Sequence, residues 1–288
     1  MSLPKQAWIE SSLVWFTQEF GGGVLLRDTV VPAAFIAASY AATADQVSKL
    51  VRRVRVLMGV GDRRITLDLF DGAPEKKAAA ISGRGRAVGH YREAGGRAVV
   101  ALDLSEAGDA AYMTAIIAHE LSHVLLLGDR RISAKRPDNE RLTDLLTVFF
   151  GFGIFTANAA LRYSTEGRRW LARSGGGLDE RTLNAARHDG YSRLGYLTEQ
   201  EFGYALACYC RMRGDLDPPW RGQLDLGPRG CLEQGLSYLS GFEGTALPVQ
   251  RLLGTTFTHG KARVRVVFAP AYASPVNGIL AEVDRRPL

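Results

Sequence analysis

His119, Glu120 and His123 stand in the order H-E-x-x-H within the run Ala115 to Gly128, AIIAHELSHVLLLG. On a helix, residues four apart share one face with their Cβ atoms about 5–6 Å apart, so two imidazoles at this spacing can reach a single cation. Glu120 directly follows the first histidine and projects beside that cation, where a carboxylate can take a proton from an activated water. Burying two imidazoles and a carboxylate among Ile, Ala, Val and Leu is costly unless something compensates them. A metal ion does so. The competing arrangement is a helix with two hydrogen-bonded core histidines and a surface glutamate.

A catalytic zinc site usually takes three protein ligands and keeps one position for water. The next acidic cluster is Asp138-Asn139-Glu140, ahead of RLTDLLTVFF. Asp138 or Asn139 can cap a helix there, and Glu140 and Asp144 then lie four apart on one face. Glu140 is the expected third ligand. Asp144 is the expected acceptor for the free N–H of one ligand histidine, which would fix its tautomer. Asp129 and Asp138 stand in reserve as ligands. Negative charge developing on a substrate carbonyl needs a donor, and His188, Tyr191 and Tyr196 are the candidates, with His188 foremost. His90 and His259 are assigned no role.

The elements that must position these residues are legible in varying degree. Residues 1 to about 42 suggest a short helix, a glycine break and an extended segment. Val47, Leu50, Val51, Val54 and Leu57 recur at helical spacing, with Thr43 or Asp45 to cap the start and Gly59 to end it. Ile65, Leu67 and Leu69 alternate as in a strand that turns at Asp71-Gly72. Arg86 to Arg92 and Arg97 to Leu104 flank Glu93-Ala94-Gly95-Gly96 as a hairpin, with Val99, Ala101 and Leu104 facing inward. The metal-binding helix is expected from about Asp109 to Leu127, capped by Gly128. The helix carrying Asp144 is expected to continue through FFGFGIFTANAALRY and floor a lower subdomain. Residues 164–180, polar and glycine-rich, suggest a loop or flap. Thr198 with Glu201 makes a capping box for a helix ending near Gly214. A Pro- and Gly-rich stretch follows, then a short helix around Leu232 to Leu239 and a basic alternating strand, Ala262 to Phe268.

H-E-L-S-H followed by an E-x-x-x-D helix resembles the gluzincin metallopeptidases, zincins whose third zinc ligand is a glutamate on the second helix. The resemblance covers about 30 residues, Thr114 to Asp144. It implies Zn2+ held by His119, His123 and Glu140, with Glu120 as general base, Asp144 behind a histidine, and peptide bonds of a peptide or protein substrate as the target. It implies an α+β, zincin-like fold: a small mixed sheet packed on the HExxH helix, with a mostly helical lower subdomain. In such enzymes an edge strand can pair with an extended substrate; Arg86 to Arg92 and Arg97 to Leu104 are both candidates for it. The gap between the two helices is shorter than in the best-known members. No metzincin-type third histidine follows Gly128, and the spanning helices of the membrane-embedded gluzincins are not evident.

The domain reading that accompanies this is an N-terminal helical and extended segment over 1–60, a zincin-like core over 61–214, and a partly irregular C-terminal appendage over 215–288. The 288 residues, 46% hydrophobic, fit an ordinary globular core. MSLPKQAWIESSLVWF lacks the pattern of a secretory signal, so a cytoplasmic location is expected. The longest uncharged apolar stretch, Leu145 to Leu161, is shorter than the roughly 20 residues a spanning helix needs and is read as core, so no membrane span is expected. Three cysteines give no disulfide framework, with Cys208 and Cys210 on different sides of one helix. A net charge of +6 and the VRRVRV cluster around Arg52 to Arg55 are read as a solvated basic face, which disfavours a nucleic-acid partner without aromatic interleaving. Two alternatives remain: a non-catalytic, zinc-stabilised binding or regulatory protein on a zincin scaffold, and a regulatory protease or nucleic-acid-associated factor steered by that face. Oligomeric state is not legible.

Overall fold

Gly95 and Gly96 both adopt positive φ, 57° and 71°. Two consecutive left-handed residues make the tight turn whose twist matches a right-handed hairpin. The turn joins β2 (Gly89–Ala94) to β3 (Arg97–Asp103), which pair antiparallel from Gly89↔Leu102 to Ala94↔Arg97. On its other side β3 pairs in parallel with β1 (Ile65–Phe70), giving the order β1-β3-β2. The computed structural model describes residues 1–61, 65–72, 89–160, 197–242 and 247. Among these, β2 is an edge strand and β3 the centre. That choice between the two hairpin arms was open from sequence. Val99 through Asp103 are all buried, so β3 is covered on both faces and the expected in-out alternation does not hold.

The sheet lies on α3 (Ala110–His123), the helix that carries the H-E-x-x-H residues. Asp109 caps it by accepting the Tyr112 N–H at 2.9 Å. Every residue of α3 except Ala111 is buried, as its near-uniform apolar composition requires. On its flank packs α2 (Ala44–Met58), capped by Thr43 and ended by Gly59 in the left-handed conformation, as its pattern predicts.

Two expectations fail at helix ends. The regular α-helix stops at His123 rather than near Leu127, and Val124–Gly128 form a wider π-helical segment. Such segments recur at functional sites because they re-aim the side chains around them. The helix bearing Asp144, α4 (Asn139–Phe149), also ends early. Gly151 takes φ 85° and its carbonyl accepts the Val30 N–H at 3.0 Å, so the chain bends and resumes as helix only over 153–160. The long apolar stretch is therefore two buried segments.

α1 (Leu3–Phe20) is a full 18 residues, longer than its sequence suggests, because it is buried between α4 and α5 (Glu199–Arg213). α5 opens with the expected capping box of Thr198 and Glu201 and ends at Gly214, φ 74°. It packs closely on α6 (Leu226–Ser240), where a Cβ on Gly203 would lie 2.3 Å from Cys231 Cβ and one on Gly235 2.7 Å from Ala207 Cβ. The fold is α+β, with a small mixed sheet on α3, α2 on the flank of that helix, and helices α1, α4, α5 and α6 filling the remainder of the described residues. Among the described residues one segment, Ala110–Gly128, is long and apolar enough to cross a membrane, and 89% of its apolar window is buried in the protein's own core. The flap at 164–180, the basic strand Ala262 to Phe268 and most of the C-terminal appendage lie outside the described residues.

Candidate metal centre

The i, i+4 spacing on α3 sets the two imidazoles 4.9 Å apart, centroid to centroid, nearly perpendicular to one another. Each ring is held from behind through Nδ1. His119 Nδ1 lies 2.9 Å from Asp144 Oδ1, and His123 Nδ1 lies 3.3 Å from Thr143 Oγ1. These contacts leave both Nε2 atoms to face forward. Glu140 Oε2 meets them there, 3.3 Å from each. The three ligand atoms all lie within 4.8 Å of one another.

The 3.3 Å separations fit two uses of this cluster. They are at the long end for direct N–H···O hydrogen bonds, which cluster at about 2.7–3.2 Å. They match the edge of a tetrahedron around an ion bound at about 2.0–2.1 Å, which is roughly 3.3 Å. The donor set is thus compatible with a metal ion.

The loop that delivers Glu140 is tied down at both ends. Arg131 pairs with Glu19 at 2.9 Å and Asp129 at 3.4 Å and lies over the Phe20 ring. Asp138 accepts the Trp8 indole N–H at 2.9 Å and is gripped by Arg136 at 2.5 Å. Asp138 holds the N-cap position of α4 but makes no capping bond, because its carboxylate is spent on these partners. Neither reserve ligand, Asp129 or Asp138, reaches the cluster.

Asp144 is 1% exposed and uses its second oxygen to accept the Leu197 N–H at 3.0 Å, which ties the residue just before α5 to the back of His119. Burial disfavours a charged His119, yet its bonds to Asp144 and Glu140 outweigh this and raise its pKa to about 10 without metal. Metal uptake must displace that proton. Glu140 is opposed by burial as an anion, but the same two imidazoles hold its carboxyl well below the usual range.

Glu120 is 5% exposed and its Oε2 has no hydrogen-bond partner among the described residues. A buried carboxylate oxygen left without a donor is costly. Burial pushes its pKa up, the two neighbouring histidines pull it down, and Glu140 pushes it up again. A buried carboxylate oxygen with no donor among the described residues has its lone pairs available to receive a proton.

Three contributing residues escaped the sequence reading. Thr143 backs His123; it adjoins Asp144 on the same helix, and asking what partners the second imidazole would have found it. Gly89 lies directly over Glu120, so that a Cβ there would sit 2.7 Å from Glu120 Oε1 and 2.6 Å from Ile116 Cγ2. A glycine inside a strand pattern is the signal of such an approach. Tyr91, two residues on and on the same face, stacks on His123 at 5.8 Å with 21° between planes. His90 points to the opposite face and is exposed. His188, Tyr191, Tyr196 and His259 lie outside the described residues.

No family model, no curated protein and no solved structure matches this chain. The reading of the site therefore rests on its own geometry. That geometry offers two imidazoles and a carboxylate that could hold a cation, and beside them a buried carboxylate with one oxygen unpartnered among the described residues.

Proposed function

We propose that this protein is a zinc-dependent metallopeptidase on a zincin-like scaffold, with His119, His123 and Glu140 as metal ligands and Glu120 as general base. The observation that carries the reading is the conjunction of a tetrahedral donor edge, 3.3 Å on both sides of Glu140 Oε2, with the unpartnered Oε2 of Glu120. Two nitrogens and one carboxylate oxygen suit zinc among common divalent ions. Bound there, zinc supplies Lewis acidity and brings water ionisation toward neutral pH.

The chain's own residues do the rest. Asp144 and Thr143 lock the two imidazole orientations, so the ligand geometry is set before any substrate arrives. Glu120 accepts the proton of the attacking water at its free oxygen and returns it to the leaving amine. Glu140 is the most open of the ligands, its side chain 34% exposed, so substrate approach from that side supports turnover over a purely structural ion. Edge strand β2 offers a side unpaired among the described residues to an extended peptide.

The test is hydrolysis of a mixed peptide library by zinc-loaded wild type and by Glu120→Gln. We expect one zinc per chain in both and a fall in kcat/KM of about 10²–10⁴-fold in the variant. Equal zinc with no cleavage by wild type would favour the non-catalytic scaffold, and undiminished cleavage by the variant would remove Glu120 from the reaction.

A further inference from the structure

Beside the metal centre an open groove of about 770 Å³ runs between edge strand β2 and the segment that follows the π-helical turn. Tyr91, Arg92 and Glu93 form one wall; Leu127, Arg130 and Ser133 are on the other. Tyr91 belongs to both places, because the ring that bounds the groove is the one stacked on His123. A chain laid along β2 past the metal would therefore enter this groove.

The charges lining the groove are not equivalent. Arg92 pairs with Asp68 at 3.6 Å, and Arg131 is held by Glu19, Asp129 and the Phe20 ring. Glu93 accepts a hydrogen bond from the Tyr91 hydroxyl at 3.1 Å. Arg130 is exposed and meets no carboxylate among the described residues. It also takes the left-handed conformation, φ 56°, one of two non-glycine residues described that do so. That backbone closes the helix end, as a left-handed residue commonly does, and it leaves the Arg130 side chain lining the groove. The turn is fixed by the Arg130 N–H to Leu127 carbonyl bond at 2.9 Å and by the Arg131 and Ile132 N–H groups on the Leu126 carbonyl. A planar guanidinium with its donors free is matched in shape and charge by a carboxylate.

We propose that this groove is a specificity subsite that takes an acidic side chain of an extended peptide running along β2, and that Arg130 determines the preference. The proposal rests on the peptidase reading for the nature of the chain, while its test separates the two.

The probes are labelled hexapeptide pairs that differ only by Glu or Gln at one position, scanned through the peptide. Binding is measured by fluorescence polarisation to the zinc-loaded Glu120→Gln protein, and cleavage by wild type. At one register the Glu peptide should bind about tenfold more tightly than its Gln partner, the size of one charge-assisted contact. Arg130→Glu should invert the preference toward Lys at that position. Arg130→Gly should abolish it, and because glycine suits the positive φ, folding and zinc content should be kept. Absence of any register with an acidic preference, or a preference untouched by Arg130→Gly, overturns the proposal. Cleavage without acidic preference overturns it and leaves the peptidase standing. Arg130-dependent binding of acidic peptides that are never cleaved sustains the subsite and overturns the peptidase.

Discussion

Glu120 owes its position to a residue with no side chain. Gly89 brings the backbone of β2 down onto the carboxylate, and there is no room for a methyl group between them. Gly89→Ala must therefore push either the strand or Glu120 aside, while the three proposed metal ligands lie elsewhere on α3 and α4. We expect zinc content to be unchanged and kcat/KM to fall by about 10–100-fold, the cost of roughly an ångström of misplacement. Zinc titration beside steady-state kinetics checks this; unchanged kinetics would show that the contact is incidental. The difference between what was and was not legible follows from range. His119, Glu120 and His123 lie on one turn, so their spacing alone reports their geometry. Glu140 and Asp144 are readable as a pair on a second helix. Gly89 and Tyr91 meet α3 only through the tertiary fold, and no local pattern announces which strand covers the site.

Elements bounded by their own chemistry are readable: α2 between Thr43 and Gly59, the Gly95-Gly96 hairpin, and α5 between its capping box and Gly214. Elements bounded by tertiary contacts are not. α1 outruns its apparent length because both of its faces are buried, α4 breaks where Gly151 docks on Val30, and α3 passes into a π segment that its apolar composition conceals. The loop between α3 and α4 sets Glu140, the proposed third ligand, and Trp8 on α1 is one of its anchors. Trp8→Phe keeps an aromatic body but removes the indole donor to Asp138, which retains Arg136. We expect a loss of about 0.5–1.5 kcal/mol in unfolding free energy, measured by urea denaturation, with zinc affinity weakened as the loop slackens. Unaltered stability and affinity would show that Arg136 alone holds the loop.

Across the whole molecule, burial makes stability sensitive to alkali. Cys208 and Cys210 on α5 are fully buried, and burial raises both thiol pKa values above the ordinary value, with the charge of Glu10 adding for Cys208 and that of Asp215 for Cys210. In the unfolded chain both release protons near pH 8.5–9, while the native state keeps them. Above that range the unfolded state binds fewer protons, so stability is full below it and declines as pH rises, by about 1.4 kcal/mol per pH unit for each thiol. Denaturant midpoints between pH 8 and 10 should fall accordingly, and Cys208→Ala/Cys210→Ala should flatten the profile; an equally steep fall in that variant would place the cause elsewhere.

The claim under all of this is that Glu140, delivered by a loop anchored on α1, closes a three-ligand metal site with the α3 histidines. Metal content by mass spectrometry of zinc-supplied wild type, His123→Ala and Glu140→Ala measures it directly. We expect one zinc per chain in the wild type, none retained by His123→Ala, and sharply reduced occupancy in Glu140→Ala. A wild-type protein that binds no stoichiometric metal, or a Glu140→Ala variant that holds zinc as firmly as wild type, would contradict it.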